Sequence, residues 1–157
     1  MSKMEDTKMT EYTELSENLK AISENVKYNI SILSNASSLI WEYMDLLNWC
    51  GFYLFEDGKL ILGPFQGKVA CTEIQLGKGV CGTTAVKDET ILVEDVHSFD
   101  GHIACDSASN SEIVVPIHKD GALYGVLDID SPVLARFTAE DKSGLELTVK
   151  ALEEVLK

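Results

Sequence analysis

Residues 112–130, with the sequence EIVVPIHKDGALYGVLDID, decide the fold because they are predicted to form a β-hairpin. Two runs rich in Val, Ile and Leu flank the short segment KDG (119–121), and such a pattern is typical of two antiparallel strands. A glycine at position 121 suits the left-handed conformation that closes a three-residue loop built on a type I turn. This loop would place His118 opposite Ala122.

Three acids, Glu112, Asp128 and Asp130, lie near the ends of these two strands. The three-residue loop would set Glu112 directly opposite Asp128, and Asp128 and Asp130 share a face because strand side chains alternate. A two-residue loop at Asp120-Gly121 would instead shift the register by one and put the acids on opposite faces. Carboxylates in one pocket raise each other's pKa, so one could hold a proton near neutral pH. The alternative is that these acids face water at the strand ends.

The segments on either side of the hairpin predict helices and further strands. Apolar residues at steps of three and four indicate one amphipathic helix from Leu15 to Leu33 and, after a break at Ser34-Asn35, a second from Leu39 to Leu47. A C-terminal helix follows Thr138, a candidate N-cap. Strands are predicted over 49–55, 59–63, 68–74 and 90–93, with a glycine-rich loop over 76–82 and a short helix over 83–88.

This order of elements predicts an α+β domain, with a mainly antiparallel sheet and helices packed on it. We expect a polar N-terminal tail over residues 1–14 and a single domain over 15–157.

The charge balance argues against several classes of function. Of 157 residues, 26 are acidic and 13 are basic, which gives a formal net charge of −13. Nucleic-acid binding needs a basic surface, so that class is disfavoured. The apolar runs are too short to span a membrane, and the first residues lack the apolar core of a secretory signal. We therefore expect a cytoplasmic protein with no membrane partner.

The four cysteines are Cys50, Cys71, Cys81 and Cys105. Their spacing contains no C-x-x-C pair, which disfavours a zinc site, and a reducing cytosol disfavours structural disulfides. Cys105 is the best candidate for a reactive thiol, because it lies in a loop of small polar residues beside His102 and several acids. Cys50 is expected in the core, and Cys81 precedes a helix whose N-terminus would favour its thiolate. Cys71 is ambiguous.

Longer motifs in the chain resemble those of a known family, the free methionine-(R)-sulfoxide reductases, which are built on the GAF domain. The resemblance extends from about Asn18 to the C-terminus. The segments that carry it are WCGFY (49–53), LGPFQGK (62–68), GVCG (79–82), GHIACDSAS (101–109), SEIVVP (111–116) and GVLDIDSP (125–132). The resemblance implies a GAF-like sheet of about six antiparallel strands flanked by helices, and usually a homodimer.

The resemblance also implies roles for individual residues. Cys105 falls on the catalytic thiol, Cys71 on the resolving cysteine and Cys81 on an auxiliary or alternative partner. The family's acidic site residues fall on Glu112, Asp128 and Asp130, with Glu112 a candidate proton donor. The wall around the methyl end of the substrate falls on Trp49 and Tyr53.

The implied reaction is the reduction of the R epimer of free methionine sulfoxide to methionine, with thioredoxin as the final reductant. The resemblance implies no metal and no bound cofactor. The main alternative is a GAF sensor module that binds a small ligand without transforming it, although such a module would not need Cys71, Cys81 and Cys105 together with three acids. A zinc-dependent protein is a third class.

Overall fold

The computed structural model of the chain describes residues 3–101 and 108–157, and of Glu5 it describes the backbone alone. Two residues singled out in the sequence, His102 and Cys105, lie outside the described residues. The elements are α1 (Lys3–Ser23), α2 (Asn29–Tyr43), β1 (Trp49–Glu56), β2 (Lys59–Gly67), β3 (Glu73–Gln75), α3 (Gly79–Lys87), β4 (Ile91–Val93), a 3-10 turn (Val96–Ser98), β5 (Ser111–Lys119), β6 (Ala122–Ser131) and α4 (Ala139–Val155).

The six strands form one sheet in the order β3-β2-β1-β6-β5-β4. Every neighbouring pair is antiparallel. The predicted α+β class and six-stranded antiparallel sheet are therefore confirmed. Among the described residues, no helix combines the length and the apolar character that crossing a membrane requires.

The two faces of the sheet are covered by different elements. On one face, α1, α2 and α4 pack over alternating strand residues such as Phe52, Ile113 and Leu127, and these form the larger apolar core. The other face carries α3, whose Val80 packs with a smaller cluster that includes Val126. Because side chains alternate along each strand, the site residues discussed below lie on the α3 face.

The helices differ from the prediction at their boundaries. The break between the first two helices falls between Ser23 and Asn29 rather than at Ser34-Asn35. The prediction missed it because apolar residues at helical spacing continue on both sides of the true break. Helix α1 begins at Lys3, so it includes most of the stretch that we expected to be a polar tail. Helix α3 begins inside the predicted glycine-rich loop, at Gly79, and β3 is confined to Glu73–Gln75.

Helix α4 begins where the sequence predicted. The Thr138 side chain accepts a hydrogen bond from the Asp141 backbone, and the Asp141 side chain accepts from the Thr138 backbone, which makes a capping box. The buried Asp141 carboxylate also accepts a hydrogen bond of 2.7 Å from the Tyr12 hydroxyl and pairs with the Lys8 ammonium at 2.9 Å. These contacts join the start of α4 to α1.

The hairpin turn has two residues, not the three that we predicted. Lys119 pairs with Ala122, and Asp120 and Gly121 both have positive φ angles, 54° and 78°. Two successive positive φ values are typical of a type I′ turn, in which aspartate followed by glycine is a favoured pair. The expected pairing of His118 with Ala122 is therefore wrong.

A bulge two residues later shifts the register again. His118 pairs with Leu123, but Ile117 pairs with Gly125, so Tyr124 is an extra residue on β6. A two-residue turn alone would have put the acids on opposite faces of the sheet, and one inserted residue returns them to the same face.

The final register places Glu112 opposite Asp130, while Asp128 lies opposite Val114. The predicted pairing of Glu112 with Asp128 is therefore wrong. The three acids nevertheless share the α3 face, since two register shifts of one residue leave the alternation of side chains unchanged.

Candidate active site

A small cavity lies between the sheet and α3. The strands contribute aromatic and acidic side chains to it, and the segment before β3 and the start of α3 close its sides. The lining residues are Trp49, Tyr53, Val69, Ala70, Ile74, Lys78, Gly79, Val80, Cys81, Ser109, Glu112, Asp128 and Asp130. Six of the eight residues assigned to the site from the sequence line this cavity. Cys71 lies beside it, in contact with Tyr53, and Cys105 lies outside the described residues.

The three acids are buried on one wall of this cavity. Glu112 and Asp128 are each 6% exposed and Asp130 is 8% exposed, which rules out the alternative that they face water. Burial, with the charges of Asp128 and Asp130 nearby, raises the pKa of Glu112 well above its ordinary value. Burial also raises the pKa of Asp128, although hydrogen bonds from Glu112, Cys81 and Asp130 oppose the shift. The wall is therefore able to hold protons near neutral pH.

Cys81 is the third residue of α3 and its free thiol is buried against the acids. Burial and the charge of Asp128 raise its pKa well above the ordinary value of a thiol. The start of a helix would by itself favour a thiolate, as the sequence suggested, but here burial and neighbouring carboxylates outweigh that effect. Cys81 is therefore a neutral thiol that can donate a hydrogen bond to Asp128.

An aromatic wall adjoins the acids on the same face of the sheet, where Trp49 on β1 pairs with Asp130 on β6. Trp49 stacks on Tyr53 with ring centroids 5.8 Å apart, and on Phe65 at 5.1 Å. Trp49 and Tyr53 lie four residues apart on β1, so both point to the α3 face. Phe65 was not singled out in the sequence, because its contact with Trp49 depends on how β1 and β2 pair.

The same aromatic residues hold the segment that contains Cys71. The Trp49 indole donates a hydrogen bond of 3.1 Å to the Lys68 carbonyl, and the Tyr53 hydroxyl donates one of 2.9 Å to the Cys71 carbonyl. Cys71 is half-buried and disulfide-bonded, whereas Cys50 and Cys81 are free thiols. Cys50 lies fully buried on the opposite face of the sheet, in the core position that we predicted.

Polar residues missed by the sequence analysis support the acids. Ser109 lines the cavity and accepts a hydrogen bond of 3.0 Å from the Asn48 side chain. The Asn48 backbone N–H donates to the Asp130 carbonyl at 3.0 Å. Asn110 fixes the adjoining backbone, since its side chain donates to the Pro132 carbonyl at 2.7 Å. The signal that could have revealed Ser109 and Asn110 is the polar run Ser-Asn-Ser (109–111) at the start of a buried strand.

One group of lining residues has the donor atoms of a metal site. Single ligand atoms of Cys81, Glu112 and Asp128 all lie within 4.8 Å of one another, and all three residues are buried. Among the described lining residues, Lys78 is the one with a basic side chain. The cavity is therefore suited to a cationic group on its acidic side.

Comparison with known proteins fits this geometry. The family model of the GAF domain matches residues 29–156. The chain is 50% identical over 145 residues to the free methionine-R-sulfoxide reductase of Escherichia coli, covering 92% of this chain and 88% of that protein. The chain belongs to the free methionine-R-sulfoxide reductase family. A yeast member of this family, from Saccharomyces cerevisiae, is 54% identical over 130 residues, or 78% of this chain and 72% of that protein.

Solved structures of family members have the same fold. The free methionine-R-sulfoxide reductase of Neisseria meningitidis in complex with its substrate is 38% identical and superposes with a TM-score of 0.89, over 99% of this chain and 91% of that one. The fRMsr of Staphylococcus aureus in complex with substrate is 51% identical with a TM-score of 0.88, over 93% and 95% of the two chains. The family resemblance drawn from the sequence motifs is confirmed.

Proposed function

We propose that the protein reduces free methionine (R)-sulfoxide to methionine through a cysteine sulfenic acid and an intramolecular disulfide. The observation that carries this proposal is the wall formed by Glu112, Asp128 and Asp130, buried beside stacked aromatic rings in a member of this reductase family. A GAF sensor would need the cavity, but it would have no use for buried carboxyl groups whose pKa values are raised.

The cavity offers a matching group for each part of a free amino acid. The acidic wall suits the substrate ammonium, and the aromatic wall suits the methyl end. The substrate carboxylate would lie at the start of α3, where Gly79 and Val80 line the cavity and the N-terminal amides of the helix favour an anion. A methionine sulfoxide within a polypeptide has neither charge, so the same contacts would select the free amino acid.

The first chemical step needs a proton as well as a thiol. In this proposal the Cys105 thiolate forms a bond to the sulfoxide sulfur, while a carboxylic acid gives a proton to the sulfoxide oxygen. Glu112 suits the donor's role because burial and two neighbouring acids raise its pKa. The sulfoxide S–O bond and the transient bond between the two sulfurs then break, the hydroxyl passes to Cys105 as a sulfenic acid, and methionine leaves with the electron pair on its sulfur.

The sulfenic acid is then removed by a second thiol. The sulfur of Cys71 attacks the sulfur of Cys105, water leaves, and a disulfide forms. The disulfide-bonded state of Cys71 in the structure supports this role, and the raised pKa of Cys81 disfavours the thiolate that such an attack needs. A thioredoxin dithiol would supply two electrons and two protons to restore both thiols.

A coupled assay tests the proposal. Thioredoxin-dependent oxidation of NADPH is followed with free methionine (R)-sulfoxide, with the S epimer, and with N-acetylmethionine sulfoxide as a control that lacks the ammonium. We expect turnover with the R epimer alone, and none from Cys105→Ser. Binding of the R epimer without turnover by the wild type would instead identify a sensor. The expected homodimer and cytoplasmic location rest on the family resemblance and the sequence, and sedimentation velocity would measure the assembly.

A further inference from the structure

The Cys81 cluster has the composition of a zinc site. It combines one sulfur ligand with two carboxylates, from Glu112 and Asp128, and their ligand atoms lie within 4.8 Å of one another. Tetrahedral Zn²⁺ places sulfur and oxygen ligands roughly 3.5 Å apart, so small side-chain rotations would bring the three atoms onto one ion. Three protein ligands would leave a fourth position for water.

A second observation concerns one carboxylate oxygen of Asp128. Asp128 is 6% exposed and lines the cavity, and although its carboxyl group forms hydrogen bonds with neighbouring side chains, its Oδ1 atom is buried without a hydrogen-bond partner. Buried carboxylate oxygens are rarely left unsatisfied, because the loss of water is costly. An ion in the cavity would supply the partner that this oxygen lacks.

The donor set also selects the kind of ion. A thiolate ligand favours zinc and other thiophilic metals, whereas magnesium and calcium prefer sites made of oxygen atoms alone. The nearby basic residue Lys78 is exposed and does not occupy the buried position between the acids. We propose that Cys81, Glu112 and Asp128 form a reversible binding site for Zn²⁺.

The site is available in the disulfide form of the protein. Cys71 is disulfide-bonded, while Cys81 remains a free thiol in the same structure. Binding would release protons from the ligands as the metal replaces them. The inference concerns binding alone and does not depend on the proposed reaction, so the two can fail separately.

The test is a titration of the full chain with Zn²⁺, in the disulfide form and without reductant, in competition with a chromophoric chelator. We expect about one equivalent to bind with micromolar affinity or better, and Cys81→Ser and Asp128→Asn each to weaken it by about tenfold or more. His118→Gln is the matched control, because it removes a surface histidine that lies between Asp88 and Glu153 and should leave affinity unchanged.

X-ray absorption of the zinc-loaded wild type needs no variant and so remains decisive if a substitution fails to fold. One sulfur with oxygen or nitrogen ligands is the expected shell. A shell with no sulfur, a shell with two or more sulfurs, or the absence of saturable binding would each overturn the inference. Equal affinity in wild type and folded Cys81→Ser would do the same.

Discussion

Glu112 lies directly opposite Asp130 across the β5–β6 pair, with both side chains buried on the α3 face. Like charges in this relationship destabilise a sheet when both are ionised. The pair is tolerated if one member stays protonated, which is the state that burial and the neighbouring charges favour for Glu112. The fold therefore favours a proton on this pair before any substrate arrives.

The first prediction concerns the pH dependence of turnover. The active form of Glu112 in our proposal is the protonated one, so the wild-type rate should fall as the pH rises through its raised pKa. Glu112→Gln has no such proton to lose. We expect its rate to be about 100-fold or more lower and to lack the fall with rising pH that the wild type shows. The profile is measured as kcat against pH with the R epimer. A variant profile that follows the wild type would remove Glu112 as the donor.

The second prediction concerns stability. Since the pKa of Asp128 is raised in the folded state, that state binds more protons than the unfolded one between the two pKa values, and stability falls as the pH rises through this interval. Asp128→Asn should therefore be more stable than wild type above the interval, by about 1–2 kcal/mol.

The gain should vanish below the pKa of an unfolded aspartate, about 3.9. Thermal unfolding at a series of pH values measures it, with the exposed Glu14→Gln on α1 as the control. A variant that is less stable than wild type at neutral pH would contradict the argument.

The site was predictable where strand alternation alone decides a position. The sequence positions of Trp49 and Tyr53 differ by an even number, and so do those of Asp128 and Asp130, which predicted that each pair shares one face of the sheet. The register across the hairpin was not predictable in the same way. It depends on the bulge at Tyr124, and the turn residues carry no signal for an inserted residue further along the strand.

The helix boundaries and Phe65 show the same limit. A local pattern of apolar residues cannot locate the break after Ser23, because the pattern continues into α2 and packing decides where the chain turns. Phe65 joins the site through its stack on Trp49, which follows from the β1–β2 pairing. Contacts between distant segments set both features.

The third prediction separates the two candidate resolving thiols. Cys71→Ser should complete a single turnover and then stop, because its Cys105 sulfenic acid would have no partner thiol for the disulfide. Methionine released per protein is measured by chromatography in the presence and absence of thioredoxin. Cys50→Ala, on the opposite face of the sheet, is the control and should recycle normally. Normal recycling by Cys71→Ser would assign the resolving role to Cys81 or to a small thiol.

The fourth prediction concerns the junction of α1 and α4. Burial opposes ionisation of Asp141, but hydrogen bonds from Tyr12, Thr138 and Lys8 prevail and lower its pKa. Its stabilising effect is therefore present above the pKa of an unfolded aspartate and is lost as the pH falls through the lowered value. Asp141→Asn should cost about 3 kcal/mol at neutral pH.

Chemical denaturation measures this loss, which should shrink in acid. The exposed Glu154, paired with Lys20 on the surface, provides the control: Glu154→Gln should cause no measurable change. Equal effects of the two substitutions would show that the buried junction has no special role.

The last prediction tests the aromatic wall. A Cβ atom on Gly51 would lie 2.2 Å from the Cβ of Phe65, so Gly51→Ala must push β2 away from β1 and separate Phe65 from Trp49. We expect KM to rise more than kcat falls, because in our proposal the wall binds the substrate but takes no part in proton transfer. Phe65→Leu keeps an apolar side chain without the stacked ring, and it provides the test if Gly51→Ala does not fold. Steady-state kinetics measure both, and an unchanged KM in folded Phe65→Leu would show that the stack on Trp49 does not shape the substrate site.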